Sequence, residues 1–279
     1  MTDGADVRAP IGVFDSGIGG LTVLRALRRR LPAESTVYLG DTARVPYGPK
    51  SPETVRRYAR EAADFLLERE VKLLVVACNT ATARALPDLA DALPVPVVGV
   101  IEPGARAAVG TSRGGTIGVI GTAGTIASGA YEEAIRALRP DARVAVAACP
   151  LFVALVEEGW TEGEVARLTA ERYLGSLLGE GVDTLVLGCT HYPLLRPLLE
   201  RVVGPDVVLV DSAEATAAAV EEELERLGIA APAGGPPGRA RHYVTDDAAR
   251  FREIAGRWMG REPEHLELAE LGLRAPAGR

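Results

Sequence analysis

Leu73-Leu74-Val75-Val76-Ala77-Cys78-Asn79-Thr80 is an apolar run that breaks into a thiol and two small polar residues. Leu185-Val186-Leu187-Gly188-Cys189-Thr190-His191 repeats the pattern, with Cys189 lying 111 positions after Cys78. A short continuous apolar run with such an ending reads as a strand buried on both faces. Working outward, Ile11-Gly12-Val13-Phe14 followed by Asp15-Ser16-Gly17 matches Ile117-Gly118-Val119-Ile120 followed by Gly121-Thr122-Ala123 at an offset of 106. Two similar offsets indicate an internal duplication, each half carrying one cysteine just past the C-terminal end of a strand. Open α/β sheets bind ligands at that edge. If the halves face each other, the thiols lie on opposite sides of one ligand, as a stereochemical inversion requires.

The rest of the chain alternates short apolar runs with amphipathic stretches, the signature of βαβ units and a mainly parallel sheet. Strands are predicted near 10–14, 36–39, 72–77, 96–100, 116–120, 143–148, 183–188, 207–210 and 241–245. Helices are predicted over 21–30, 52–69, 82–92, 131–138, 164–178 and 213–227. Ser51-Pro52-Glu53 and Asp211-Ser212 read as helix starts, with capping oxygens ahead of good helix formers. Residues 231–238 form the one linker-like stretch, and the tail after Gly260 is polar with no assigned element. The repeat places one half near 1–98 and another near 99–210, with 211–279 returning to pack on the first.

Composition narrows the function. The 279 residues are 47% hydrophobic and 25% charged, ordinary for a globular protein with real cores. A net charge of −7 argues against a nucleic-acid surface. Three cysteines form no even framework and no Cys-x-x-Cys pair, so a reducing compartment is expected. Residues 1–9 carry acids without an apolar core, unlike a signal peptide. No apolar run approaches the ~20 residues of a membrane span. A cytoplasmic protein is expected.

Asp15-Ser16-Gly17-Ile18-Gly19-Gly20 opens a helix after the first strand but fails the dinucleotide fingerprint, because the third glycine position falls on Thr22. Its free amides suit a carboxylate, and Asp15 is either an acid beside that loop or a turn residue. A lone cysteine after a strand is usually packing. Two at matching positions, flanked by Asn, Thr or His, point instead to proton transfer, since a thiol's pKa of ~8.5 lies near working pH. His191, two residues past Cys189, is placed to tune it. Thr122 and Thr125, in the duplicate of the Asp15 loop, suit either an amino-acid ligand or helix capping. Pro46-Tyr47-Gly48 reads as a turn, Cys149 as structural, and His242 and His265 as surface or packing residues. Lys50 and Lys72 are the only lysines, and neither is well placed for a pyridoxal cofactor: one sits in a Pro-rich turn, the other starts a strand at the edge opposite the ligand.

Together, Asp15-Ser16-Gly17-Ile18-Gly19-Gly20, Pro46-Tyr47-Gly48, Ala77-Cys78-Asn79-Thr80, Gly121-Thr122 with Gly124-Thr125, and Gly188-Cys189-Thr190-His191-Tyr192-Pro193 resemble the signature segments of the glutamate racemases. They occur in that family's order through about residues 10–195, and Asp211-Ser212 and Tyr243-Val244-Thr245 also fit. The resemblance implies two flavodoxin-like, doubly wound α/β domains related by a pseudo-twofold axis, closing over glutamate without a cofactor or metal. It implies Cys78 and Cys189 as the two bases, Cys189 acting on L-glutamate and Cys78 on D-glutamate. Asp15 would assist Cys78; His191 and Glu157 would assist Cys189, with Glu158 adjacent to Glu157. Ser16, Pro46, Tyr47, Gly48, Asn79, Thr80, Thr122, Thr125 and Thr190 would hold the substrate. The family's Phe-Val-Pro-Leu-Val-Glu segment reads here Phe152-Val153-Ala154-Leu155-Val156-Glu157. An N-terminal extension that binds a nucleotide-sugar activator in some members is not expected. A homodimer supplying D-glutamate to peptidoglycan is implied. The rival readings are a sister racemase or malonate decarboxylase, a hydrolase with zinc on Cys78, Cys189 and His191, and a binding protein whose thiols are incidental.

Overall fold

The computed structural model describes residues 6–232 and 234–272. In chain order its elements are β1 (Ile11–Asp15), α1 (Leu21–Arg30), β2 (Thr36–Gly40), α2 (Pro52–Leu67), β3 (Leu73–Val76), α3 (Asn79–Ala92), β4 (Val97–Gly99) and α4 (Ile101–Thr111). There follow β5 (Thr116–Gly121), α5 (Ala123–Ile126), α6 (Ala130–Leu138), β6 (Val144–Ala148), α7 (Leu151–Glu157), α8 (Glu164–Leu178), β7 (Val182–Gly188), α9 (Arg196–Val203) and β8 (Val208–Asp211). The chain ends with α10 (Ser212–Leu227), β9 (Ala240–Val244), α11 (Ala248–Met259) and β10 (Leu266–Leu268). Among the described residues no helix is long and apolar enough to cross a membrane.

Two sheets form, one in the order β10-β9-β2-β1-β3-β4 and the other β6-β5-β7-β8, and every strand pairing in them is parallel. The two-domain α/β class is therefore observed. The repeat is visible in the register. Gly12 faces Leu74, Val13 faces Val75 and Phe14 faces Val76. In the second sheet Gly118 faces Leu185, Val119 faces Val186 and Ile120 faces Leu187. The offsets of 106 and 111 thus map the β1–β3 pairs of one sheet onto the β5–β7 pairs of the other. Both sheets change winding direction between the repeated strands, β1 and β3 in one and β5 and β7 in the other. That switch point is where a doubly wound sheet opens a crevice for ligand.

Each sheet is covered on both faces, so its central strands are apolar throughout. Ile11 and Val13 pack against Leu21, Leu24 and Leu27 of α1 and Ala217 and Val220 of α10. Phe14, on the other face, meets Val55 and Ala59 of α2 and Ala81 of α3. In the second sheet Ile117 and Val119 pack with α4 and α6, and Ile120, Leu185 and Leu187 with α7, α8 and α9. The chain after β8 lies with the first sheet: α10 packs on α1, and β9 pairs with β2. Ser51 Oγ accepts from Thr54 N, and Asp211 Oδ1 accepts from Ala213 N at 2.8 Å, as capping residues do.

All nine predicted strands and six predicted helices are present. The helix expected over 82–92 begins three residues earlier, at Asn79, because Cys78 caps it. Five helices and the edge strand β10 were not predicted. Pro103 and two glycines disguise α4 as a loop, yet Pro103 falls in the first turn, where a missing N–H breaks no helical bond. Ala154 lies within α7, which runs unbroken from Leu151 to Glu157.

Candidate active site

The site grows from the two switch points. Cys78 leaves β3 and caps α3: its Sγ accepts from Ala81 N at 3.4 Å and donates to Ser16 Oγ at 3.3 Å. Ser16 comes from the turn after the neighbouring β1. Cys189 leaves β7 in the equivalent place, with Thr122 supplied by the turn after β5. Gly188 before it has no room for a side chain, since a Cβ would lie 2.7 Å from Ile120 O. Both thiols are buried and line one cavity.

Their surroundings differ. Burial, and then the negative charge of Asp15, push the Cys78 thiol up to about 12. Cys189 Sγ lies 3.9 Å from His191 Nδ1, and His191 Nε2 lies 3.1 Å from Glu157 Oε1. Both ring nitrogens thus face acceptors, which suits the doubly protonated imidazolium. Burial opposes that charge, but the hydrogen bonds to Cys189 and Glu157 outweigh it and raise His191 to about 10. Burial likewise acts to raise Glu157, and the hydrogen bond and charge of His191 overcome it, holding the carboxyl below its ordinary range. Of the two adjacent glutamates, Glu157 reaches the histidine. Glu158 points outward to Arg250 of α11 at 3.3 Å. Trp258, also on α11, sets its ring edge-on to His191 with centroids 5.9 Å apart.

The pair has a pH signature. A histidine raised from 6.5 to about 10 gives stability that is complete below pH 6.5 and is lost as pH climbs through about 10. The lowered Glu157 gives stability present above its ordinary 4.5 and lost as pH falls through its folded value. His191→Asn is expected to flatten the decline in urea midpoint between pH 6.5 and 10. An equally steep decline in the variant would show that the imidazolium contributes nothing.

Asp15 is fully buried behind the cavity. Its Oδ2 accepts from Gly17 N at 2.9 Å, as a turn residue does, while Thr190 Oγ1 of the other half donates to Oδ1 at 3.4 Å. Burial raises its pKa, with the charge of His191 opposing. Gly19 makes this approach possible, because a Cβ there would stand 2.2 Å from Thr190 Oγ1.

The remaining polar groups form a seam between halves. Thr80 Oγ1 lies 2.8 Å from Thr122 Oγ1 and 3.2 Å from Thr125 Oγ1. Gly124 N donates to Gly48 O at 3.0 Å. Tyr47 is buried, its ring lining the cavity and its hydroxyl donating to Asp41 Oδ2 behind it. Asn79 Oδ1 accepts from Tyr131 OH, while its Nδ2 is buried with no protein acceptor among the described residues. An unpaired buried donor costs ~1–3 kcal/mol, so this amide is poised for an acceptor that enters the cavity.

Of the sequence-predicted residues, Cys78, Cys189, His191, Ser16, Pro46, Tyr47, Gly48, Asn79, Thr80, Thr122 and Thr190 line the cavity. Asp15, Glu157 and Thr125 stand behind that wall, each touching a residue that lines it. Val45 and Val153 complete the lining. Neither has a polar group or a place in the repeat to mark it, and Arg250, Trp258 and Tyr131 arrive from elements far away in sequence. Cys149 and His242 are buried in packing positions, and Lys72 is buried at the N-terminal edge of the first sheet. Among the described residues no group of three or more His, Cys, Asp or Glu side chains is arranged to hold a metal ion, which leaves the zinc reading without a ligand set.

Comparison with known proteins bears on the family and the fold. A family model described as Asp/Glu/hydantoin racemase matches residues 11–220. The chain is 56% identical to the glutamate racemase of Geobacter metallireducens over 250 residues, covering 90% of this chain and 92% of that protein. Among solved structures, the glutamate racemase of Thermus thermophilus in complex with β-chloro-D-alanine is 50% identical, with a TM-score of 0.85 over 95% of this chain and 98% of that one. The glutamate racemase of Francisella tularensis in complex with D-glutamate is 36% identical, with a TM-score of 0.88 over 95% and 98%.

Proposed function

We propose, from the premise that this chain belongs to the Asp/Glu/hydantoin racemase family, that it interconverts L- and D-glutamate by a cofactor-independent, two-base proton transfer. The observation that carries the reading is the pair of buried thiols, one from each repeated strand end, lining a single cavity. With L-glutamate bound, the Cys189 thiolate removes the α-proton and the Cys78 thiol delivers its own proton to the opposite face. Cys189 ends as the thiol and Cys78 as the thiolate, the form that accepts D-glutamate. The asymmetry of the cavity supports this order. Cys78 is held as the thiol near 12, and an imidazolium beside Cys189 stabilises negative charge on that sulfur. Asp15 assists Cys78, and Glu157 assists Cys189 through His191.

The α-proton of an amino acid is very weakly acidic, so the carbanion needs donors already aimed at it in a site that excludes water. Ser16, Asn79, Thr80, Thr122 and Thr190 supply such donors, with Thr125 orienting the threonine pair and Pro46-Tyr47-Gly48 forming the wall. The relative seen with D-glutamate supports the substrate class. In this reading the protein is a cytoplasmic homodimer that supplies D-glutamate for peptidoglycan.

The test is dialysed protein with L- or D-glutamate in D₂O, followed by circular dichroism and the α-proton NMR signal without added cofactor. Optical signal is expected to vanish from both enantiomers as deuterium enters the α-carbon. Exchange with aspartate but not glutamate would keep the chemistry and change the substrate. No exchange with either would return the thiols to a packing role.

A further inference from the structure

Tyr131, on α6 over the second sheet, is buried, and its hydroxyl donates to Asn79 Oδ1 at 2.7 Å. Asn79 begins α3 over the first sheet, so this hydrogen bond joins the two halves. The phenol has a single proton, and Asn79 Oδ1 takes it. The ring is wedged below the strand end that carries Cys189, since a Cβ on Gly188 would lie 3.0 Å from Tyr131 Cε2. Asn79 therefore has its carbonyl oxygen engaged and its buried Nδ2 without a protein acceptor among the described residues, and it lines the cavity. With Oδ1 held by Tyr131, Nδ2 is the amide atom left for a ligand.

We infer that Tyr131 is a positioning residue for substrate: it fixes the Asn79 amide so that Nδ2 donates to a substrate carboxylate. Because Tyr131 and Asn79 belong to different halves, the donor is correctly aimed only when the halves are together. The inference rests on the reading that the cavity takes glutamate.

A double-mutant cycle over Tyr131→Phe and Asn79→Ala, read as KM and kcat for glutamate with urea midpoints alongside, tests it. Tyr131→Phe is expected to raise KM roughly tenfold, the scale of one oriented hydrogen bond to a charged group, with a smaller change in kcat. In the Asn79→Ala background the same substitution is expected to leave KM unchanged, because the group it positions is gone. An equal rise in KM in both backgrounds, or a loss confined to kcat or the urea midpoint, would overturn the inference. Asn79→Asp gives an independent reading if Tyr131→Phe is not recovered folded. It keeps the acceptor for Tyr131 but turns the donor into an anion, so KM is expected to rise by more than the alanine change causes, and an unchanged KM overturns the proposal. No turnover of glutamate by the unmodified protein would remove the functional reading and this inference together. Normal turnover with an additive cycle would remove this inference alone.

Discussion

Cys78→Ala and Cys189→Ala are each expected to lower glutamate racemisation by roughly 10²–10⁴-fold, the usual worth of a positioned acid or base, or to background. Racemisation needs a proton removed on one face and delivered on the other, so one remaining thiol cannot complete the cycle in either direction. Stability should change little. Among the described residues the Cys78 thiol makes two hydrogen bonds, to Ser16 and from Ala81. Replacing a thiol by hydrogen leaves the strand and helix around it in place, a change in the ~1 kcal/mol range of ordinary substitutions. Polarimetric turnover of both enantiomers, paired with urea unfolding, separates the two effects. Turnover by either variant within tenfold of the unmodified protein would sink the two-base reading.

Lys72→Met is expected to do the reverse, keeping the chemistry and losing stability. The Lys72 side chain is fully buried, and its Nζ lies 2.7 Å from Glu34 Oε2. It also donates to Val7 O at 2.7 Å and to Ile229 O at 2.8 Å, tying the N-terminal segment to the loop after α10. Glu34 Oε1 accepts from Ala231 N, in that same loop. Removing the cation strands a buried carboxylate, which costs about 3–5 kcal/mol. In a chain of this length the melting temperature should fall on the order of 10 °C. At temperatures where the variant remains folded, its kcat should match that of the unmodified protein, because Lys72 lies at the edge of the sheet opposite the cavity. Lost turnover in a variant of undiminished stability would place this lysine in the chemistry and reopen a Schiff-base route.

Much of the site could be read from the sequence because the repeated features are local. Four strand ends, two turns and two thiols recur at offsets of 106 and 111, and a strand that is buried on both faces writes itself as an unbroken apolar run. Cys78, Cys189, Asp15 and Thr122 each follow directly from such a run, so their place at a ligand-binding edge follows from the polarity of parallel strands. The neighbouring His191 is carried along with Cys189. Elements that break local rules were missed. Pro103 and its glycines hide α4, and β10 is a three-residue edge strand held by pairing with β9 rather than by burial on both faces.

Residues were legible, then, wherever a side chain's role depends on the strand it follows. Contacts between halves were not. Nothing in the spacing of Tyr131 and Asn79, or of Arg250 and Glu158, brings those pairs together. Such contacts arise when two independently patterned sheets dock, and docking depends on shape, on gaps such as the one Gly19 leaves for Thr190, and on burial that has no sequence period. The same docking sets the electrostatics. An aspartate, a histidine and a thiol have ordinary pKa values as isolated residues; burial raises Asp15 and moves Cys78 to about 12, whereas hydrogen bonds to Cys189 and Glu157 bring His191 to about 10 against burial. The sequence specified which groups are present and at which edge they sit, whereas packing of the halves specified which of them touch.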